Sequence, residues 1–186
     1  MKIATARAAI TEMALVLSCG ASAADRKADD NKVSRGDKNF IAKVMKDGQT
    51  EVELGKLAAQ NASSPDVKQF GQRMADDHSK SGDELQAIAS KLGYTPKKAG
   101  PDKGDVKKFS KMKAEKFDRE YSKHMVKDHE KTVKLFEKQA QKGESAELKQ
   151  FASKTLPTLQ EHLKMARDIA DKTKGEKAQD RGSKKG

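Results

Sequence analysis

Tryptophan is absent from this 186-residue chain, cysteine occurs once, and aromatic residues make up 4%. Each shortage excludes something. A core without large aromatic rings must be assembled from Ala, Leu, Val, Met and a few Phe, the residues that fill helix-to-helix seams, so the composition points to an all-α protein. The lone Cys19 excludes an intrachain disulfide. Proline occurs only four times. Long apolar runs are missing as well: the best stretch, Ala8 to Leu17, falls short of the ~20 residues a membrane-spanning helix needs. A chain of this length holds one domain with a full core, plus tails.

One charge sign is in excess, with 39 Lys and Arg against 28 Asp and Glu, a net charge of +11. The excess sits in two stretches. Lys97, Lys98, Lys103, Lys107, Lys108, Lys111, Lys113 and Lys116 crowd one, and the tail after Asp171 holds the other. Neither has aromatic residues spaced for base stacking apart from Phe109 and Phe117, which weighs against nucleic acid. The charged fraction is high, at 36%, but the apolar residues are periodic, so the chain is not expected to be disordered throughout.

Residues 1–23 read as a secretory signal: Lys2 and Arg7, a short apolar stretch interrupted by Glu12, then Ala21-Ser22-Ala23 as a small-residue cleavage site. The expected location is the periplasm or the exterior, with no transmembrane span in the mature chain. Alternatively, Val16-Leu17-Ser18-Cys19 is a lipoprotein box that anchors the protein through Cys19. Leu17 fits that box poorly.

After a flexible leader over 24–36, the periodicity predicts a bundle over 37–172 with helices at about 37–62, 65–92, 114–142 and 145–172. The inward lines are Phe40, Val44, Glu51, Leu54 and Ala58; Val67, Gly71, Met74, His78, Leu85 and Leu92; Asp118, Ser122, Met125, His129, Val133, Phe136 and Ala140; and Phe151, Thr155, Thr158, His162, Ala166 and Ile169. Ser64-Pro65-Asp66 opens the second helix and Gly93 ends it. Residues 93–113 form a long basic crossover, and 173–186 a disordered basic tail. Pro157 either kinks the fourth helix or precedes a restart, with Thr158 to Glu161 as a capping box.

The halves also repeat. Glu51-Val-Glu-Leu54 through Val67-Lys-Gln-Phe70 aligns without a gap with Thr132-Val-Lys-Leu135 through Leu148-Lys-Gln-Phe151. Two repeated helical hairpins joined by a long crossover between helices 2 and 3 is the ferritin-like arrangement.

Three of the four histidines, His78, His129 and His162, lie on inward lines, and each follows a carboxylate: Asp77, Asp128 and Glu161. With Glu51 they supply nitrogen and oxygen donors suited to zinc, iron, manganese or copper. Counting from the turns puts Glu51 level with His78 but leaves His129 and His162 mismatched by ~6 Å. Met74, Met125 and Met165 lie about a turn from the histidines; they would favour copper(I) if their sulfurs face the ion, and otherwise fill helical seams. His124 is expected to pair with Asp128. Asp118 lies ~16 Å along the axis from His129, too far to share an ion, so it is read with Tyr121 as a second polar core site, paired with that tyrosine or with a base across the bundle. No Ser-His-acid set, cysteine nucleophile or phosphate loop is present, which weighs against most enzyme readings.

Glu51-Val-Glu-Leu-Gly-Lys-Leu-Ala58, Phe70-Gly-Gln-Arg-Met-Ala-Asp-Asp-His78, Phe117-Asp118 with Tyr121, Asp128-His129, and Thr155-Leu-Pro157 through Glu161-His162 together resemble a widespread family of secreted or lipid-anchored bacterial proteins, domain of unknown function 4142. The resemblance covers roughly Asp37 to Asp171. It implies a ferritin-like bundle and an envelope location, and no established activity. Di-iron ferritin-like proteins place a Glu three residues before a His on two helices; here Ala75, Val126 and Leu159 hold those positions, which disfavours a ferroxidase. Two functions stay open. One is a bundle binding a single transition metal (Cu, Zn or Fe) in its core during envelope stress; the other is a non-enzymatic envelope or interaction protein whose core polar groups are structural and whose basic segments contact anionic lipid or polysaccharide.

Overall fold

A computed structural model of the chain describes residues 33–97 and 100–183, with side chains described as far as Lys174. The signal-like segment with Cys19, the leader up to residue 32, Lys98, Ala99 and the last three residues lie outside the described residues. The described part is all-α: α1 (Arg35–Asn61), α2 (Pro65–Lys91), α3 (Lys103–Ser110), α4 (Ala114–Lys142) and α5 (Ala146–Ser183). No described helix is long and apolar enough to cross a membrane.

The principal pairings are α1 with α2 and α4 with α5; α2 against α5 and α1 against α4 close the bundle. Local chemistry sets the boundaries. The Ser34 hydroxyl accepts the Asp37 N–H at 3.1 Å and starts α1 two residues before the expected position. Gly93, at φ 68°, ends α2, and the Tyr94 N–H closes back on the Ala89 carbonyl. α1 and α2 approach closely at Gly55 and Gly71, because a Cβ on Gly55 would come within 2.5 Å of the Gly71 carbonyl oxygen. Any side chain there would force the two backbones apart.

Three expectations change. The crossover is not continuous coil, since Asp102 caps an eight-residue α3 by accepting the Gly104 and Asp105 N–H groups, and Phe109 anchors that helix in the core. Phe109 and Phe117 are both fully buried, so neither can stack on a base. The last helix also continues beyond residue 172: Thr173 is buried and its hydroxyl bonds the Ile169 carbonyl at 3.0 Å. Finally, α5 runs unbroken through Pro157, so Thr158 to Glu161 is no restart. Proline removes one backbone donor, and Phe151, Ala152, Leu159 and Ala166, packed on both sides of it, hold the helix together.

The apolar core falls into two clusters. One gathers Leu54, Phe70, Met74, Phe109, Phe117, Tyr121 and Met125; the other gathers Phe40, Ile41, Leu85, Phe136, Phe151 and Leu159. On every long helix the polar residue lies in sequence between its contributions to the two clusters: Glu51 on α1, His78 on α2, His129 on α4 and His162 on α5. A polar layer therefore divides the core.

Candidate metal centre

Each side chain of this layer is placed by the helical period that also buries its apolar neighbours. Glu51, His78, His129 and His162 are all buried, at 4%, 9%, 0% and 1% exposure. Glu51 Oε2 lies 3.1 Å from His78 Nε2, and Glu51 Oε1 lies 3.5 Å from His129 Nδ1. The three imidazole centroids are 5.5 to 5.7 Å apart. One nitrogen from each ring can be chosen so that all three lie within 4.8 Å of one another.

The level mismatch computed for His129 and His162 is overcome by side-chain direction. Helical side chains lean toward the N-terminus of their own helix. On α4 that lean carries His129 away from the α4–α5 turn, and on antiparallel α5 it carries His162 toward that turn. The two displacements add and bring the rings together.

The hydrogen bonds decide which nitrogens are bare. His129 Nδ1 donates to the Met125 carbonyl at 3.0 Å, which leaves its Nε2 as a lone pair with no partner. His162 Nε2 donates to Asp77 Oδ2 at 2.9 Å, which leaves Nδ1 likewise unpartnered. His78 Nε2, although 3.1 Å from Glu51 Oε2, makes no hydrogen bond to it, and Glu51 Oε1 also lacks a partner. Four unpartnered buried polar atoms in one layer is an unstable arrangement unless something else satisfies them. Imidazoles whose outer N–H is held by a carbonyl or carboxylate are oriented as metal ligands are.

Burial keeps the layer uncharged on the nitrogen side. It lowers His78 to about 4, and with the neighbouring His78 it lowers His162 to about 4. Burial lowers His129 too, although the Glu51 carboxylate opposes it. Neutral imidazoles at pH 7 have free lone pairs. Burial raises Glu51 to about 7, against the pull of His129.

The acids that precede the histidines do not act as a set. Asp77 alone serves the layer, and its partner is His162 across the bundle rather than its neighbour His78. Although burial pushes the Asp77 carboxyl up, its bonds to His162 and Arg73 hold it below the usual range. Asp128 pairs with His124 at 3.1 Å, as expected for that histidine. Glu161 is exposed and grips Arg73 at 2.7 and 3.0 Å, and Arg73 also donates to Met165 Sδ. That thioether therefore faces a cation, while Met74 and Met125 are buried in the first apolar cluster.

Asp118 is not Tyr121's partner. It accepts the Ser63 and Ser64 N–H groups and the Ser63 hydroxyl, and so ties the start of α4 to the α1–α2 turn. Asp37 does the same at the other end, accepting Gln139 Nε2 at 2.7 Å and the Ser145 N–H at 2.9 Å. Asp37 and Asp118, like Ser64 and Ser145, are equivalent in the gap-free repeat. Extending that alignment backward from Glu51 and Thr132 would have found the pair from sequence. Tyr121 instead stacks on Phe117, at 5.5 Å, with its hydroxyl unpartnered, and burial raises its pKa.

A family profile described as "Domain of unknown function (DUF4142)" matches residues 22–169. No curated protein matches the chain. Among solved structures, the crystal structure of a DUF305 fragment from Deinococcus radiodurans is similar, with a TM-score of 0.66 at 11% identity over 75% of this chain and 98% of that one. At that identity the likeness speaks for the helical fold alone.

Proposed function

The chain belongs to the DUF4142 family, a domain of unknown function, and from that premise we propose that it is an exported, ferritin-like bundle that binds one divalent transition-metal ion in its core. The single observation that carries the reading is the meeting of three buried imidazoles, His78, His129 and His162, which can each offer a nitrogen within 4.8 Å of the others and which each have one nitrogen without a hydrogen-bond partner. A cation there satisfies the bare lone pairs, and it supplies the positive charge that a buried Glu51 carboxylate otherwise lacks. Three imidazoles and one carboxylate form an N3O set suited to Zn, Fe or Cu. Asp77 and the Met125 carbonyl act as positioning groups. The paired hairpins α1–α2 and α4–α5 and the crossover between them support the ferritin-like reading. The basic, apolar and small-residue order of residues 1–23 supports export.

The test is metal analysis of the untagged chain after dialysis against mixed transition ions. About one equivalent bound by the parent chain and loss of that ion in His129→Ala is the expected result. Less than about a tenth of an equivalent of every metal sinks the proposal.

A further inference from the structure

The histidine layer is buried, so an ion needs a way in, and Glu51 is the layer residue that also faces a cleft toward α3. Its side chain lines an inner cavity of about 30 Å³ together with His78 and His162. It also lines an outer cleft of about 200 Å³, whose far wall is formed by Asp102 and Asp105 of the α3 segment and whose flank is Asp128 of α4. Glu51 is 4% exposed, and its Oε1 has no hydrogen-bond partner.

The charge balance of the cleft runs against that of the chain. The molecule carries +11 overall, which repels cations, but the cleft lining holds the carboxylates of Asp47, Asp102, Asp105, Asp128 and Glu51 against the amines of Lys43, Lys46 and Lys131. Each lysine is engaged: Lys43 with Asp47 at 2.8 Å, Lys46 with Asp102 at 3.4 Å and Lys131 with Asp128 at 3.4 Å. Asp105 has no lysine in that set; His124 Nε2 stands 3.9 Å from it and 3.1 Å from Asp128. Carboxylates that outnumber amines in a concave wall concentrate cations locally and raise their rate of arrival.

We propose that this cleft is the entry port for a divalent transition-metal cation, with Asp105 and Asp128, beside His124, as the outer relay and Glu51 as the inner carboxylate that passes the ion to the histidines. The inference rests on the metal-binding reading above. It gives the basic crossover a purpose, because α3 carries one wall of the port. A second opening exists: a groove of about 420 Å³ between α1 and α2 also reaches His78. Val44, Met45 and Val52 line that groove beside two carboxylates, Glu53 and Asp83, of which Glu53 is held by Lys56 at 2.9 Å, and a hydrated ion crossing its apolar stretch loses water without gaining ligands.

Stopped-flow uptake of Co(II) by the full apo chain, followed by visible absorption, separates the routes. Asp105→Asn alone and Asp105→Asn with Asp128→Asn are expected to slow association, the double variant by about tenfold at low salt, with the difference shrinking at high salt as screening takes over. Equilibrium affinity is expected to stay within about threefold of the parent's, a change of less than 1 kcal/mol at 1.4 kcal/mol per tenfold. Gln49→Lys, which places a positive charge in the α1–α2 groove, is expected to leave the rate unchanged. Unaltered association in the double variant, or slowing by Gln49→Lys, overturns the port. Absence of any Co(II) spectrum in the parent chain overturns metal binding itself, a separate and recognisable failure.

Discussion

Among the described residues three carboxylates are buried, and they live in opposite circumstances. Asp37 and Asp118, near the starts of α1 and α4, each accept hydrogen bonds from the turn of the opposite hairpin. Glu51, in the middle layer, has one oxygen without a partner and two neutral imidazoles, His78 and His129, beside it. All three are 4% exposed or less, so burial by itself says nothing about role. Satisfaction does: an acid whose lone pairs are all used holds the fold together, whereas one left short is poised for a ligand the chain does not itself provide.

That contrast can be broken by removing one acid of each kind. Asp118→Ala strands the Ser63 and Ser64 N–H groups in a part-buried turn and releases the start of α4, and a loss of about 3 to 4 kcal/mol in urea unfolding is expected. A loss under about 1 kcal/mol would show that water replaces the carboxylate and that the cap is incidental. The opposite sign is expected in the middle layer. Burial raises Glu51 to about 7 from an ordinary 4.5, so above that pH its ionised form opposes folding. Glu51→Gln removes the charge and should stabilise the metal-free protein by about 2 kcal/mol at pH 8. If Glu51→Gln instead destabilises as Asp118→Ala does, the two classes of acid are one.

The smallest expected effect is on pH dependence, where the layer's two kinds of group act against each other. His78 and His162 have folded values of about 4, below the ordinary 6.5. The unfolded chain then binds more protons between those values, and stability falls as pH drops through that window. Glu51 has a raised folded value, so its contribution is full below 4.5 and is lost as pH rises toward 7. Two histidines outweigh one carboxylate. The metal-free protein should lose about 1 to 2 kcal/mol between pH 7 and pH 4.5, and Glu51→Gln, lacking the offset, should lose more. Thermal melts across that range sharpen the comparison, and a parent chain more stable at pH 4.5 would contradict it.

The two hairpins differ as well. Gly55 and Gly71 let α1 and α2 touch backbone to backbone, whereas the repeat puts Phe136 and Ala152 at the equivalent positions of α4 and α5. Phe136 packs edge-on against Phe40 at 5.2 Å. One hairpin packs backbone on backbone at two glycines and the other carries a phenyl ring and a methyl group at those positions, so the repeat preserves the pairing of the helices without preserving the residues at that point.

Much of this was legible in the sequence, because helical periodicity is a local property. The apolar stripes gave the four long helices, and the same stripes singled out Glu51, His78, His129 and His162, the polar residues that interrupt them. Three-dimensional arrangement decided the rest. Counting residues from the turns measures Cα heights and misses the lean of side chains, which is what joins His129 to His162. Each acid lies about 100° around the helix from the histidine after it, which turns it to the flank; the pairing of Asp128 with His124, four residues apart on one helix, was legible, whereas His162 and Arg73, the partners of Asp77 and Glu161, lie on another helix. Asp118 was visible as a buried acid without visible partners, since they lie in a turn 54 and 55 residues away. The sequence by itself determined which residues face inward, through a period of about 3.6. Only the tertiary structure decided which inward residues meet across the bundle and which stay bare, because the bonds of Asp37, Asp77 and Asp118 and the histidine cluster form between segments distant in sequence.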